Sequence, residues 1–261
     1  MCELFGITSK SRLQVNKYLK TFFSHSEVHK HGWGLALFYG NAASIEKESV
    51  CANQSNYLRE RIKQPIIIDN MIAHIRLASV GRVLWGNAHP FMRQDSSGRY
   101  WTLAHNGTIF DFPALDEYKN IQDGQTDSER ILLYLIDKLD KRQHQLQRTL
   151  TEQERFLLVE EVITTMSINN KLNLLIWDGE NMYIHTNYAD TLHYLQKSED
   201  TTIFSTKPIS EEDWQPVPFL RLLVFREGRK IFEGSKRSLQ YFDPEENYEY
   251  NNHTKYEYAV L

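Results

Sequence analysis

The chain has 261 residues, of which 41% are hydrophobic and 25% charged, and its formal net charge at pH 7 is −4. These values are ordinary for a globular protein that can bury a full core. The weakly acidic charge gives no footprint for nucleic acid or an anionic membrane surface. No apolar run is long enough to span a bilayer, and two cysteines make no disulfide framework. We therefore expect a cytoplasmic protein that binds neither nucleic acid nor membrane.

The first part of the chain predicts mainly strands. Residues 17–23 predict a modest helix, and a polar, histidine-bearing loop follows at 25–32. The last predicted strand of this part stops at Asn106-Gly107, a strong turn signal. Apolar segments predict four strands: residues 3–8, 34–38, 65–76 and 100–105.

Two longer helices are predicted next, each opened by a capping box. The boxes are Thr126 with Glu129 and Thr151 with Glu154. Each is followed by an apolar stripe at helical spacing: Leu132, Leu135, Ile136 and Leu139 after the first, and Phe156, Val159, Ile163 and Met166 after the second.

Strand signals then resume. Residues 172–177 and 182–186 flank Asp178-Gly179 and predict a hairpin. Further strands are expected at residues 201–205, 220–225 and 230–232. The order of strands, two helices and strands favours an α+β protein with helices packed on largely antiparallel sheets. We expect residues 1–261 to form a single domain, with a polar C-terminal extension from about residue 236.

Cys2 stands directly after the initiator methionine. If Met1 is removed, the thiol shares its residue with a free α-amine whose pKa is about 7.7–8.0. Such an amine can act as the base for a thiol whose pKa is about 8.5. Cys2 is therefore a candidate nucleophile that carries its own base. The alternative is a small buried hydrophobe in an N-terminal strand.

Six short segments bear on that choice. They are MCELFG at 1–6, HGWG at 31–34, AHIRLAS at 73–79, NAHPF at 87–91, AHNGT at 104–108 and TDSE at 126–129. In this order they closely resemble class II (N-terminal-nucleophile) glutamine amidotransferases, above all the stand-alone bacterial, YafJ-like type. The resemblance runs to about residue 215. It implies the N-terminal-nucleophile hydrolase fold, a four-layer αββα sandwich of two antiparallel sheets, and a single type-2 amidotransferase domain.

The resemblance also implies roles for individual residues. Hydrolysis of a γ-carboxamide needs donors aimed at the developing oxyanion. Asn106 offers a side-chain amide, and Gly107 offers a backbone N–H with no Cβ in the way. By resemblance this pair is the oxyanion hole and belongs with Cys2 to the catalytic set. The alternative for Asn106-Gly107 is a simple hairpin turn.

The substrate's amino-acid end is the second expectation. Arg76 can hold a carboxylate through two parallel hydrogen bonds, and Asp127 can pair with an ammonium. By resemblance these two residues and the Ser79 hydroxyl bind the substrate. The alternatives are a structural ion pair for Arg76 and a favourable helix-start charge for Asp127. Leu77 departs from the tryptophan of the larger synthase-linked members, so the substrate pocket need not be identical to theirs.

Histidines are left out of the predicted catalytic set. His89 and His105 match family positions, but orienting the backbone is at least as good a reading as catalysis. His25 and His29 are four residues apart, yet no further pattern completes a metal site, and a solvated loop is the better interpretation. Phosphate-loop and dinucleotide patterns are absent. We expect neither a metal nor a cofactor.

Three functions remain open at this stage. The first is a stand-alone γ-glutamyl amidase that releases ammonia or an amine from glutamine or a γ-glutamyl compound. The second is a glutaminase subunit that delivers ammonia to a separate synthase, or that works beside a peptidase partner. The third is a catalytically silent glutamine-binding protein. The presence of Cys2, Arg76, Asn106 and Asp127 together argues against the third.

Overall fold

The computed structural model describes residues 2–40, 42–79 and 81–242. Its paired strands are antiparallel throughout. The strands in chain order are β1 Glu3–Gln14, β2 Trp33–Tyr39, β3 Ala42–Glu48, β4 Ile67–Ile75, β5 Phe91–Gln94, β6 Tyr100–His105, β7 Asn173–Trp177, β8 Met182–Thr186, β9 His193–Ser198, β10 Thr201–Ser205, β11 Gln215–Pro216, β12 Leu222–Arg226 and β13 Arg229–Glu233.

Helices connect and cover these strands. The α-helices are α1 Asn16–Ser24, α2 Asn56–Lys63, α3 Asp127–Leu146 and α4 Glu152–Met166. Short 3₁₀ turns occur at His25–Glu27, Ala52–Gln54, Trp85–Asn87 and Pro113–Tyr118. No helix in the described ranges is both long and apolar enough to cross a membrane.

The strands build two sheets, with orders β11-β9-β10-β1-β4-β2-β3 and β13-β12-β8-β7-β6-β5. Alternation of side chains along each strand separates the layers. On β1, Phe5 packs in one cluster with Leu19 of α1, whereas Leu4 packs between the sheets. On β6, Leu103 packs in one cluster with Leu132 of α3, whereas Ala104 lies between the sheets. The result is the predicted αββα sandwich of N-terminal-nucleophile type.

The two sheets approach closely in their middle. A Cβ added to Gly6 on β1 would lie 2.9 Å from Cδ1 of Leu175 on β7, so the two strands lie close together across the gap between the sheets. Close by, the rings of Phe38 and Trp177 stack with centroids 4.9 Å apart. This packing fixes how the ends of strands in one sheet lie over strand ends in the other.

Most predicted elements are present within a few residues of their expected bounds. The segment predicted at 65–76 is β4, the predicted hairpin is β7 and β8, and the segment at 201–205 is β10. The pattern did not predict α2, β3, β5, β9 or β11. Three of these strands, β3, β5 and β11, lie at sheet edges, and an edge strand with an exposed face lacks the apolar run of a buried strand.

The two capping boxes differ. The α4 box forms in full between Thr151 and Glu154. At α3, the Thr126 side chain accepts a hydrogen bond from Glu129 N, but the Glu129 carboxylate binds Arg93 and the amides of residues 123 and 124 instead. The expected box is therefore only half formed, because nearby charge and amide donors compete for the carboxylate. Of the expected polar extension, residues 243–261 lie outside the described residues.

Candidate active site

Four of the predicted site residues lie directly beside a strand end or at the start of a helix. Cys2 precedes β1, Arg76 follows β4, Asn106 follows β6, and Asp127 is the first residue of α3. The first residue of β1 pairs with the last residue of β4, so Cys2 and Arg76 lie on neighbouring strands at the same sheet end. The antiparallel register thus brings together residues that are far apart in sequence.

Cys2 is partly buried and is held against the backbone of Leu77. Leu77 N donates to the Cys2 Sγ at 3.3 Å, and Sγ donates to the Leu77 carbonyl at 3.4 Å. Burial raises the pKa of the Cys2 thiol, although the Leu77 hydrogen bond and the positive charge of Arg76 oppose the rise. The thiol form therefore predominates near neutral pH, and attack by sulfur requires a base. Met1 lies outside the described residues.

Arg76 and Asp127 are both buried and both fixed by backbone groups. Nη1 of Arg76 donates to the carbonyl of Arg82 at 3.0 Å. The Asp127 carboxylate accepts from Ile109 N at 2.8 Å and from Ser128 N at 2.9 Å. Burial lowers the pKa of Arg76, while the negative charge of Asp127, and that of Cys2 when it is ionised, raise it. A cation and an anion are thus held near the sulfur with little freedom to move.

Asn106 and Gly107 lie beside the start of β7. Asn106 N donates to the Asn173 carbonyl at 2.9 Å, and Thr108 N donates to the Lys171 carbonyl at 3.0 Å. Nδ2 of Asn106 is buried and has no hydrogen-bond partner among the described residues. A Cβ at Gly107 would lie 1.9 Å from the Lys171 carbonyl oxygen, so the approach requires glycine.

The hairpin alternative for Asn106-Gly107 is wrong. β6 pairs with β5, which precedes it, and with β7, which follows it only after α3 and α4. The strand does end at residue 105, as predicted, but the Asn-Gly pair does not connect two neighbouring strands. The segment that contains this pair is instead hydrogen-bonded to residues 171–173.

A network that the sequence did not reveal connects Arg76 to the segment before Asp127. Arg76 and Asp127 are the two charged residues predicted to bind substrate. Nδ2 of Asn87 donates to the carbonyl of Arg82, the same oxygen that Arg76 binds, at 2.8 Å. Oδ1 of Asn87 accepts from Gln125 N at 2.7 Å, two residues before Asp127. Asn87 is fully buried and belongs to the NAHPF segment, which was the only sequence signal for it.

The histidines of this region are buried and serve as hydrogen-bonding supports. The ring of His105 lies 2.9 Å from the Ser128 hydroxyl through Nδ1 and 3.1 Å from the Lys171 carbonyl through Nε2. His105 N donates to Nδ1 of His89, whose ring stacks on that of His74 at 4.1 Å. Burial lowers the pKa of all three. They are therefore neutral near pH 7.

Two other predicted positions behave differently. Ser79 is exposed on the loop after β4, and no described residue is hydrogen-bonded to its side chain. The loop with His25 and His29 is not wholly solvated, because His29 is buried and both rings lie near the buried carboxylate of Glu3, at 2.7 Å for His25 and 3.8 Å for His29. Within the described ranges, no group of three or more His, Cys, Asp or Glu is arranged to hold a metal ion.

Comparison with known proteins agrees with this geometry. Residues 1–199 match the family model described as glutamine amidotransferases class-II. An uncharacterized protein of Methanocaldococcus jannaschii is 29% identical over 265 residues, which cover 90% of this chain and 72% of that protein. The Escherichia coli protein YafJ, provisionally named a glutamine amidotransferase, is 26% identical over 200 residues, 76% of each chain.

A solved structure shares the fold. The glutamine phosphoribosylpyrophosphate amidotransferase from B. subtilis superposes with a TM-score of 0.66 at 14% sequence identity. The match covers 91% of this chain and 50% of that one. At this identity the likeness concerns the fold alone.

Proposed function

Since the chain belongs to the class II glutamine amidotransferases, we propose that it hydrolyses the γ-carboxamide of glutamine or of a γ-glutamyl compound. The reaction proceeds through a γ-glutamyl thioester on Cys2 and releases ammonia or an amine. The proposal includes one type-2 amidotransferase domain over residues 1–261, with the polar extension from about 236, and a cytoplasmic setting suited to its two free cysteines.

One observation carries the proposal. Nδ2 of Asn106 is a buried donor with no hydrogen-bond partner in the part of the chain that the structure describes. Leaving such a donor unsatisfied costs about 1–3 kcal/mol. Asn106 lies three residues before Ile109, whose N–H binds Asp127. The charge of Asp127 acts on the Cys2 thiol. A donor kept unsatisfied in this region suits an acceptor that arrives with the substrate, and the γ-carbonyl oxygen is such an acceptor.

The raised pKa of Cys2 favours general-base activation. In the proposed mechanism the α-amine of Cys2, freed by removal of Met1, takes the thiol proton as sulfur attacks the carbonyl carbon of the γ-carboxamide. Asn106 Nδ2 and Gly107 N stabilise the oxyanion, and the protonated amine passes its proton to the leaving nitrogen. Ammonia or an amine departs as the C–N bond breaks, and water then hydrolyses the thioester.

The amino-acid end of the substrate is assigned to the buried pair near the sulfur. Arg76 receives the α-carboxylate, and Asp127 receives the α-ammonium. Both groups are already fixed by backbone partners, so little conformational entropy is lost when the substrate binds. The Ser79 hydroxyl, exposed three residues beyond Arg76, is proposed to join them once substrate is bound.

A second function, delivery of ammonia to a separate partner protein, is favoured by one surface. Val83, Leu84 and Trp85 follow Arg82 and are 45%, 46% and 61% exposed. Neighbouring exposed apolar side chains of this kind are typical of protein contacts. A synthase or peptidase partner that docks there would contact the loop whose Arg82 carbonyl accepts a hydrogen bond from the Arg76 side chain.

The test compares the two cysteines. Cys2→Ser should abolish turnover of glutamine and γ-glutamyl peptides, because a hydroxyl is a far poorer nucleophile when its base is a weak amine. Cys51→Ala should remain active, because the Cys51 thiol is buried, donates a hydrogen bond to the Ser26 carbonyl and has no role in the proposed reaction. Intact mass should show that the active protein has lost Met1, and an uncleavable N-terminal extension should inactivate it.

Three results would contradict the proposal. The first is a Cys2→Ser variant that retains more than a small fraction of wild-type activity. The second is a purified wild-type protein that turns over neither glutamine nor γ-glutamyl compounds, alone or with added partners. Full activity in a preparation that still carries Met1 would refute self-activation by the amine, even if Cys2 proved essential.

A further inference from the structure

A second buried carboxamide lies directly beside Asn106. His105, the last residue of β6, pairs with Leu174 of β7. Continuing this register by one residue puts Asn106 opposite Asn173, the first residue of β7. Asn106 N donates to the Asn173 carbonyl at 2.9 Å, as this register requires. Side chains of directly opposed residues share one face of a sheet. Asn106 and Asn173 are therefore cross-strand neighbours.

The shared face looks toward the other sheet. Ala104 on β6 and Leu175 on β7 both pack in the cluster between the sheets. Asn106 and Asn173 are two residues from them, so strand alternation puts both amides on this same inner face. Gly6 of β1 faces Leu175 across the gap. On the first sheet, Cys2 lies four residues before Gly6. On the second sheet, Asn173 lies two residues before Leu175.

The Asn173 side chain is fully buried, and one end of it is occupied. Its Oδ1 accepts a hydrogen bond from the Thr186 hydroxyl at 2.5 Å. The Thr191 hydroxyl lies 3.2 Å from Oδ1 but closer, at 2.7 Å, to the Tyr188 carbonyl, which takes its single proton. The Thr186 bond fixes the amide. Its Nδ2 is buried with no hydrogen-bond partner among the described residues, the same condition as Nδ2 of Asn106.

Asn106 and Asn173 thus place two adjacent amide donors, with no partner in the described ranges, on the inner face. They lie next to the apolar side chains of Ala104 and Leu175. A substrate with a single acceptor atom that gains negative charge would satisfy both. We propose that Asn173 contacts the substrate, donating from Nδ2 to the γ-carbonyl oxygen beside Asn106. No bond to Asn173 forms or breaks. The inference rests on the proposed function and extends its oxyanion hole to a residue outside the six family segments.

The test uses two substitutions and a matched control. Asn173→Asp keeps an acceptor for the Thr186 hydroxyl but replaces the donor with an anion, and Asn173→Leu removes both. We expect each to lower kcat for glutamine by about 10²-fold, with KM changed less than about threefold. Thr102→Val is the control. Thr102 is a buried residue of β6 whose hydroxyl has no partner among the described residues, and its removal should leave kcat unchanged.

Alkylation of Cys2 by iodoacetamide separates this role from others. The alkylation rate should match wild type in Asn173→Leu, whose side chain is uncharged, because no oxyanion forms in that reaction. Slower alkylation would overturn the inference in favour of an effect on the nucleophile, and a rise in KM with unchanged kcat would indicate a merely structural role. Thermal unfolding shows whether Asn173→Leu is misfolded. If it is, the kcat of Asn173→Asp tests the inference.

The two hypotheses fail separately. If wild-type protein turns over glutamine or a γ-glutamyl compound and both Asn173 variants keep wild-type kcat, the inference is wrong and the proposed function stands. If wild-type protein turns over neither, the proposed function is wrong, and the assignment of Asn173 to its oxyanion hole falls with it.

Discussion

At the scale of single residues, the proposed substrate pocket depends on side chains that backbone groups hold in place. Arg76 is fixed by the Arg82 carbonyl, and Asp127 by the amides of Ile109 and Ser128. Asn87 ties the Arg82 carbonyl to the segment before Asp127. The spacing between cation and anion is therefore set before substrate arrives, which favours a ligand whose carboxylate and ammonium are a fixed distance apart.

Replacing Arg76 should weaken recognition of glutamine strongly. Loss of one partner from a buried charge pair costs about 2–5 kcal/mol, and each 1.4 kcal/mol is a factor of ten. Arg76→Ala should thus lower kcat/KM for glutamine by about 30- to 3,000-fold. Arg82→Ala is the control, because Arg82 contributes its carbonyl while its side chain is exposed. Steady-state kinetics of both variants test this, and equal values for Arg76→Ala and wild type would contradict it.

The substrate's own charges give a complementary prediction. L-γ-glutamyl anilides or peptides should be cleaved, because Arg76 and Asp127 are proposed to hold only the glutamyl half of the substrate. α-N-acetyl-glutamine should not be cleaved, since acetylation removes the ammonium that Asp127 is proposed to bind. Comparing turnover of the three compounds by wild-type protein measures this. Efficient hydrolysis of the acetylated compound would show that the pocket reads something else.

At the scale of elements, the residues after β6 are held against the start of β7 at very short range. Gly107→Ala would place a methyl carbon 1.9 Å from the Lys171 carbonyl oxygen, so the backbone must shift and carry Asn106 with it. We expect kcat to fall by at least about tenfold, since an oxyanion donor loses its alignment. Gly86→Ala, whose added carbon would meet only ordinary contacts at 3.6 Å, should remain active. Kinetics on glutamine compare the two, and an active Gly107→Ala enzyme would argue against the assigned role.

The starts of the two long helices allow a matched comparison. Thr126 caps α3, which carries Asp127, and Thr151 caps α4. Each Thr→Ala change should lower the free energy of unfolding by about 1 kcal/mol. Only Thr126→Ala should also raise KM for glutamine, because only α3 presents a proposed substrate contact. Urea unfolding and kinetics measure both effects. A comparable rise in KM for Thr151→Ala would show that the activity change reflects general loosening.

At the scale of the whole molecule, four buried histidines make stability depend on pH. Burial lowers the pKa of His74, His89 and His105, and lowers that of His185 to about 4. An unfolded histidine has a pKa of about 6.5. As pH falls below about 6.5, these histidines become protonated in the unfolded state but stay neutral in the folded state. The free energy of unfolding therefore decreases until the pH reaches the histidine pKa values of the folded protein. Acid therefore favours unfolding.

Between pH 7.5 and 5.5, His185, with its pKa of about 4, should remove about 1.4 kcal/mol from the free energy of unfolding, and the other three histidines should add to that loss. Urea titration at the two pH values measures the difference. His185→Gln should reduce it by about 1.4 kcal/mol. His144→Gln, at an exposed position on α3, should leave it unchanged. Stability that stays constant or increases toward pH 5.5 would contradict the assignment.

Local signals in the sequence determined much of the architecture and the proposed site. Apolar runs located the central strands, because a strand buried on both faces needs an apolar side chain at nearly every position. Thr151 and Glu154 predicted the α4 start correctly, since a capping box involves only residues three apart. Cys2, Arg76, Asn106 and Asp127 were identified from short segments in a fixed order, although their roles remain predictions.

Other features were decided only by tertiary structure. Glu129 leaves its expected box because Arg93 and two loop amides compete for it. Asn87 bridges two loops, and Asn173 becomes the neighbour of Asn106 only through the β6–β7 register. In the sequence, Asn173 is a single polar residue inside the apolar segment 172–177. The physical reason is the same in each case: a hydrogen-bond partner or an opposed strand that is distant along the chain leaves no local pattern, and packing of the two sheets alone brings it into contact.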